Sequence, residues 1–446
     1  MFVLEWKHAA KNINGVSQKA EKEKEEMEKP RVYACIDMKS FFASVECAER
    51  GLNPFETNLA VTDTSRGRGA LCLAVTPRMK ALGVKNRCRV YEIPADIPYI
   101  AAKPRMRKYI GYAADIYGIY LDYMDRSDIY VYSVDESFLD MTDYLKIYKK
   151  TPREFAAFLI GEIADRLHIP AAAGIGTNLY LAKIALDITA KKSPERIGIL
   201  DEETFRRTLG NHRPLTDFWG IAGGISRRLA RYGIYTMDQI ARCPEELLYR
   251  EFGINAELLI DHASGREYCT MEDIKSYRTK SRSVSNSQIL FGDYTAEKAE
   301  LIVTEMVRSG CLEMMRRGLI ARSVAVYAGY SRGVRPPTGG SVRMRAASSL
   351  PRMILPYARE LYRRTADFSA PVRSVSVSFG NVCDEGCEGY DLFTDWESVE
   401  KEKSLSKTVL ELQDRFGKNA VVTAADLQEG ATLRQRNLQI GGHSAQ

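Results

Sequence analysis

Two adjacent carboxylates, Asp135 and Glu136, stand between strand-forming residues: Tyr130, Val131 and Tyr132 before them, Phe138 and Leu139 after. Neighbours on an extended chain point to opposite faces. A straight strand would therefore drive one of the two charges inward, where an unpaired carboxylate is costly. A sharp turn, or a cation between the carboxylates, removes that cost. Taken alone, the pair fits the tip of a hairpin as well as it fits a functional site. A third acid shifts the weighing. Asp37 closes the apolar run RVYACID at 31–37, just before a helical stretch that begins at Lys39. A carboxylate at a strand end before a helix lies in the crevice where open α/β sheets bind ligands; as a lone residue Asp37 reads equally as a helix N-cap. Three carboxylates converging on one sheet edge make an all-oxygen cage suited to Mg²⁺, which keeps waters and takes substrate phosphates as further ligands. Two such ions roughly 3.5–4 Å apart stabilise the attacking and leaving oxygens of an in-line displacement. The five histidines are unclustered, no Ser–His pairing stands out, and no P-loop sequence occurs. Zinc or histidine-based chemistry is therefore disfavoured.

The elements that must position these acids follow from periodicity. Residues 39–47 take helical period, with Phe41, Val45 and Ala48 on one stripe. Residues 57–93 alternate apolar and basic runs around the turn Ser65–Gly69. A helix over Pro77–Leu82 has Pro at its first turn and Gly83 at its end, and carries Arg78 and Lys80. Further helices are expected over 108–124 and 151–167. A small-residue strand at 171–175 follows, where Gly174 and Gly176 mark close backbone approach. A helix over 179–189 then runs into the basic exit Ala190-Lys191-Lys192-Ser193-Pro194. This order predicts an α/β (α+β) chain built on a split βαβ sheet.

Beyond it, residues 215–241 read as two short helices around the glycine-rich hairpin Gly223-Gly224, then a second hairpin. Amides in such a turn hold phosphate at a helix N-terminus, with Arg227, Arg228 and Arg231 alongside; a plain helix–helix turn is the alternative. Residues 270–283 lack an apolar period and read as a linker. Residues 284–381 mix a helix over 295–317 with alternating strands. Arg322 lies on the first of these and Arg373 on the second, where Ser374, Ser376 and Ser378 can face a polyanion. The end reads as a helix with Leu405, Val409, Leu412 and Phe416 on its apolar stripe, then a polar tail.

The 446 residues predict roughly three domains at about 150 residues each. No apolar run approaches the roughly 18 residues of a membrane span, and the first residues lack the form of a secretory signal. Nine cysteines, odd in number and scattered among apolar neighbours, suit a reducing cytoplasm better than a disulfide framework. The net charge of +6 is unevenly spread: residues 276–380 hold 17 Lys and Arg against 7 Asp and Glu. A basic module on a mildly acidic body points to nucleic acid.

IDMKSFFASVE at 36–46, SVDESFLD at 133–140 and AGIGTNLYLAKIALD at 173–187 resemble the Y-family (translesion) DNA polymerases of the UmuC/DinB type. The branch most resembled is the UmuC-like one of Gram-positive bacteria, the UvrX branch. The resemblance runs from about residue 30 to the C-terminus. It implies a right-hand polymerase with a ferredoxin-like palm (30–40 and 108–198), small fingers (41–107) and a helix-hairpin-helix thumb (199–274). A linker (275–283), an α+β little finger (284–382) and a tail (383–446) follow, with 1–29 a charged extension. The implied activity is error-prone addition of deoxynucleotides to a primer 3′-OH with two Mg²⁺ ions, in DNA damage repair and the SOS response. The alternative is a DNA-binding accessory subunit with little polymerase activity alone.

Residue by residue, the resemblance gives metal-ligand positions to Asp37, Asp135, Glu136 and the Met38 carbonyl. It puts Phe42 at the steric gate against a ribose 2′-OH, with Phe41 beside it, although Phe41 reads better as a core residue. It puts Thr76, Lys80 and either Lys191 or Lys192 at the nucleotide, with Ala74, Val75 and Thr76 lining an open pocket. Pro77 and Lys80 stand where many relatives carry Tyr and Arg, and lysine lacks arginine's bidentate fork. DNA contacts are expected from Gly223, Gly224, Arg227, Arg228, Arg282, Arg322 and Arg373. Tyr390, Leu392 and Phe393 fall at a motif that docks on the sliding clamp (β), but Gly389 replaces its glutamine. Primer–template DNA and dNTP are the implied partners, with RecA or a UmuD′-like protein as further candidates and no membrane.

Overall fold

Five short strands form the sheet on which the first half of the chain is built, in the spatial order Ile129–Val131 (β5), Glu136–Asp140 (β6), Tyr33–Met38 (β1), Ala171–Gly176 (β7) and Ile197–Leu200 (β8). The computed structural model describes residues 31–277, 283–387 and 395–445. It divides into two units, residues 1–279 and 280–446. In the first, β1 (Tyr33–Met38) is central and antiparallel to both β6 (Glu136–Asp140) and β7 (Ala171–Gly176). β5 (Ile129–Val131) flanks β6, and β8 (Ile197–Leu200) runs parallel to β7. Alternation decides the faces. Ala34, Ile36, Leu139, Ala173 and Ile175 pack against the helices Met106–Leu121 and Pro152–Leu167, through Ile116, Tyr120, Phe155, Leu159 and Ile163. The second of these helices starts on a Thr151/Glu154 capping box with Pro152 in its first turn. The opposite sheet face, with Tyr33, Cys35, Phe138 and Ala172, takes Leu179, Ala182 and Leu186.

The helix over that second face, α1 here (Leu179–Ile184), lies unusually close. A Cβ on Gly174 would stand 2.1 Å from the Ala182 carbonyl oxygen and from the Leu186 nitrogen. On Gly176 it would stand 2.3 Å from the Ala182 nitrogen. The close approach read from these two glycines is thus present. The helix does not continue to 189 as expected: Ala185–Thr189 forms a π turn and Ala190–Lys192 a 3₁₀ turn.

A three-stranded sheet (β3 Cys72–Val75, β2 Leu59–Thr62, β4 Ile100–Ala102) forms a small separate layer, with the helix Pro77–Ala81 after β3. Short helices from Glu202 to Ala263 share their own core, including Phe205, Leu215, Phe218, Leu229 and Leu259. The linker reading of 270–283 is corrected in part. Met271–Ser276 is a helix with a Thr270/Asp273 capping box, and it buries Met271 and Ile274. Two apolar residues were too few to show a period. The Lys275 ammonium fastens it to the carbonyls of Arg126 and Ser127.

The second unit has a four-stranded sheet in the order β11-β10-β12-β9: Thr338–Ser348, Leu319–Tyr330, Val372–Gly380 and Ser283–Tyr294. One face packs on the helices Ala296–Arg316 and Pro351–Thr365. The helix Trp396–Phe416 departs from expectation. It buries Val399, Ser406 and Leu410 and leaves Leu405, Leu412 and Phe416 exposed. The chain after it is no loose polar tail. Thr432 donates through its amide and hydroxyl to the buried Glu305, and Arg436 reaches Gln288 and Ser309. No helix among the described residues is long and apolar enough to cross a membrane.

Candidate active site

Antiparallel pairing of β1 with β6 sets Asp37 directly opposite Glu136. Asp135 precedes β6, and its carbonyl accepts the Met38 amide N–H at 2.9 Å. The hairpin is closed by the Tyr132 and Ser133 amides, both donating to the Glu136 carbonyl. Ser133 Oγ donates to Asp135 Oδ1 at 2.6 Å, which fixes that carboxylate. Local chain geometry thus brings three acids from two distant segments to one sheet edge. The Met38 side chain is buried in the core, so only its backbone can serve the site. The Asp37 carboxyl is pushed up to about 8, first by burial and then by the charges of Asp135 and Glu136. Acids crowded in this way resist ionising together.

Glu136 has a partner that the sequence reading missed. Its Oε1 lies 2.7 Å from the Lys183 ammonium and accepts the Cys35 thiol at 2.9 Å. Lys183 also reaches Asp187, four residues on, at 3.1 Å. Burial pulls this ammonium down, but Cys35, Glu136 and Asp187 outweigh it and hold it above the ordinary lysine range. The signal was available: Lys183 and Asp187 are the only charges in the apolar run LYLAKIALDI, at helical-neighbour spacing. Gly174 and Gly176 supply the physical reason, because their missing side chains let α1 sit close enough to bring Lys183 onto the sheet edge.

The donor types fit a hard divalent cation, and the crowding around Asp37 is the condition that such an ion relieves. The side-chain arrangement is a different matter. Among the described residues no three carboxylate, histidine or cysteine groups are gathered as a ready metal cage, and Glu136 is held by Lys183 instead.

Cations influence Asp37's surroundings as well. Lys39 is held below the ordinary lysine range by desolvation, then by the charges of Arg196, Lys80 and Lys191. Lys80 is lowered by desolvation and by Lys191, against the pull of Asp37. Lys39 and Lys80 therefore lie within electrostatic reach of Asp37, Lys191 within reach of both lysines, and Arg196 within reach of Lys39. Lys39 and Arg196 were not foreseen, although Lys39 follows Asp37 by only two residues. Arg196 stacks on Phe55 at 4.4 Å. The side chain of Lys192 lies outside the described residues.

Four residues expected at the nucleotide change character. Phe41 is 2% exposed and belongs to the core. Thr76 is fully buried: its hydroxyl donates to the Thr57 carbonyl and caps the following helix at Met79. Val75 is fully buried and Ala74 nearly so. These short side chains are internal packing and line no open pocket. Phe42 is half-buried and stacks on Tyr109 at 4.7 Å. Tyr109 in turn donates to the buried Glu46, which Arg105 grips through two bonds of 2.9 Å.

Of the expected DNA contacts, Gly223 and Gly224 are exposed in the first turn of the helix Gly223–Ala230. The element before it is a 3₁₀ turn, Leu215–Asp217, and not the short helix expected. Arg227 is exposed, but Arg228 is spent within the fold, on Glu251 at 3.3 Å and over the Phe252 ring. In the second unit Arg322 is exposed beside a bulge in β10. Arg373 lies 4.0 Å from Asp293. The uncovered sheet face aligns Ser287, Ser376, Tyr327 and Gly339 in one row, then Ser285, Ser378, Ala325 and Ser341, then Ser283, Gly380, Ser323 and Arg343. Arg282, Gly389, Tyr390, Leu392 and Phe393 lie outside the described residues.

Comparison with known proteins agrees over nearly the whole chain. The impB/mucB/samB family model matches residues 36–187, and the model of that family's C-terminal domain matches residues 281–392. A protein of Bacillus subtilis (strain 168) named for UV-damage repair, UvrX, is 31% identical over 424 residues, 92% of this chain and 97% of its own. DNA polymerase IV 2 of the same organism is 30% identical over 426 residues, 94% of this chain and 100% of its own. A solved Y-family DNA polymerase chimera of Dbh and Dpo4 superposes with a TM-score of 0.60 at 20% identity. It covers 79% of this chain and 99% of its own.

Proposed function

The chain belongs to the impB/mucB/samB family, the Y-family DNA polymerases, and on that premise we propose that it is an error-prone translesion polymerase. It adds deoxynucleotides to a primer 3′-OH on damaged templates. The observation that carries this reading is the juxtaposition at one sheet edge: Asp37 opposite Glu136 with Asp135 adjoining, Lys39 and Lys80 within electrostatic reach of Asp37, and Lys191 and Arg196 within reach of Lys39. Asp37, Asp135, Glu136 and the Met38 carbonyl would hold two Mg²⁺ ions, which supply Lewis-acid activation of the primer hydroxyl and charge neutralisation at the leaving pyrophosphate. The chain's own residues do the rest. Ser133 fixes the Asp135 carboxylate. The four cations hold the triphosphate, with lysines in place of an arginine fork. Phe42, braced by Tyr109, presents its ring to the sugar and excludes a 2′-OH.

The remaining assignments follow the same premise. Arg227 and the exposed amides near Gly223 grip one stretch of the duplex backbone. The serine- and arginine-lined sheet face of the second unit grips another. The region around residue 390 meets the sliding clamp.

The test is primer extension by Asp135→Asn combined with Glu136→Gln. Turnover falls by roughly 10³-fold or more, about 4 kcal/mol of transition-state stabilisation, while primer–template affinity stays within about twofold. Extension at the wild-type rate would remove the acids from the chemistry. No extension by the wild-type protein, with or without clamp, would favour the accessory-subunit reading.

A further inference from the structure

Lys183 is the one buried lysine among the described residues, and its bonds do not look like those of a passive counter-ion. It is shared. Its ammonium lies 2.7 Å from Glu136 Oε1 and 3.1 Å from Asp187 Oδ2, and the side chain is 10% exposed. Glu136 is 11% exposed and Asp187 is 28% exposed. The thiol of Cys35 donates to the same Glu136 oxygen, so that oxygen is doubly engaged. Asp187 sits in the π turn, on a different element from Glu136. Lys183 therefore has two acidic partners of unequal burial, one on β6 and one on its own helical segment.

We propose that Lys183 is a positioning residue that competes with a divalent cation for the Glu136 carboxylate, and that Asp187 is the partner to which its ammonium retreats when an ion takes Glu136. This rests on the nucleotidyl-transfer reading above, in which Glu136 is an ion ligand. Two like-charged ligands cannot both occupy one carboxylate oxygen at contact distance without strong repulsion. A buried ammonium left with no acid at all is costly. Asp187, already in contact, meets that second requirement without any movement of the backbone. The arrangement keeps the sheet edge charge-balanced and makes loading of the site an exchange of cations. It also accounts for the paradox of the site's geometry: the acids are adjacent along the sheet, yet Glu136 is turned to Lys183.

The test is Mn²⁺ binding to the full-length protein, followed by electron paramagnetic resonance of the free aqua ion, with thermal unfolding in EDTA as a second readout. Lys183→Met removes the competitor. Its Mn²⁺ affinity rises about tenfold, and its Tm in EDTA falls by roughly 5–10 °C because the acids lose their balancing charge. Asp187→Asn acts in the other direction. It removes the retreat, fixes Lys183 on Glu136 and weakens Mn²⁺ binding several-fold, which keeps the proposal testable should Lys183→Met fail to fold. Unchanged affinity in both variants, or weaker binding by Lys183→Met, overturns the competition while leaving the polymerase reading in place. Mn²⁺ binding by the wild type that Asp37→Asn does not diminish overturns both.

Discussion

The five-stranded sheet of the first unit ends in three carboxylates and closes a helix over the face beside them. The four-stranded sheet of the second unit leaves one face open and lines it with serine, glycine, tyrosine and arginine. Both alternate residues in the same way, so secondary structure does not account for the difference. What differs is where charge sits relative to water. Around Asp37 and Glu136, desolvation raises the worth and the cost of every charge. That suits a site where charge must be exchanged during a reaction. On the open face the cations are solvated and spread along strands, which suits a surface that holds a polyanion by the sum of weak contacts. One sheet concentrates electrostatics, and the other averages it.

Removing charge from the concentrated site gives the largest expected effect. Asp37→Asn slows single-turnover extension by about 10³-fold, with no change in the salt dependence of DNA binding. A smaller loss, comparable to that of an arginine on the open face, would erase the contrast between the sheets. Next comes the closed face itself. Gly174→Ala pushes a methyl into backbone at 2.1 Å and costs about 2–3 kcal/mol by denaturant unfolding. Gly292→Ala on β9, with open space around it, stays within about 0.5 kcal/mol. Equal costs would mean that α1 is free to shift.

Moving an acid onto the averaging surface is the third test. Ser376→Asp places a carboxylate in the middle of the open face and weakens primer–template binding about tenfold at low salt, with Mn²⁺ affinity unchanged. The smallest effect is expected for Arg343→Ser. Affinity falls a few-fold irrespective of sequence, and the slope of log affinity against log salt drops by about 1. A sequence-dependent loss would show that this face reads bases.

The acids and the two glycines of β7 were legible because their meaning is local. A carboxylate at a strand end, or a glycine in a small-residue strand, announces itself within a few residues. Lys183 was missed because its role depends on how closely α1 approaches β7, a tertiary fact that the glycines only hint at. Lys39 and Arg196 come from segments about 157 residues apart along the chain, and spacing cannot show that they meet. Thr76 was placed at the nucleotide through the resemblance alone; in the structure it is buried and its hydroxyl caps the helix that follows. In the helix Trp396–Phe416 two apolar stripes compete. The one formed by Val399 and Leu410 faces inward, although the Leu405–Leu412–Phe416 stripe is the bulkier.

The wide turn at Ala185–Thr189 has a consequence for the basic exit downstream. A π turn absorbs one residue more than the helix before it, and one residue is worth about 100° of rotation around a helix axis. Shortening that turn by a single residue would re-aim Asp187, which stands inside it and bonds Lys183 at 3.1 Å. The piece of chain that leads to Lys191 is thus the same one that fastens Lys183, and a change in its length would be felt at both ends.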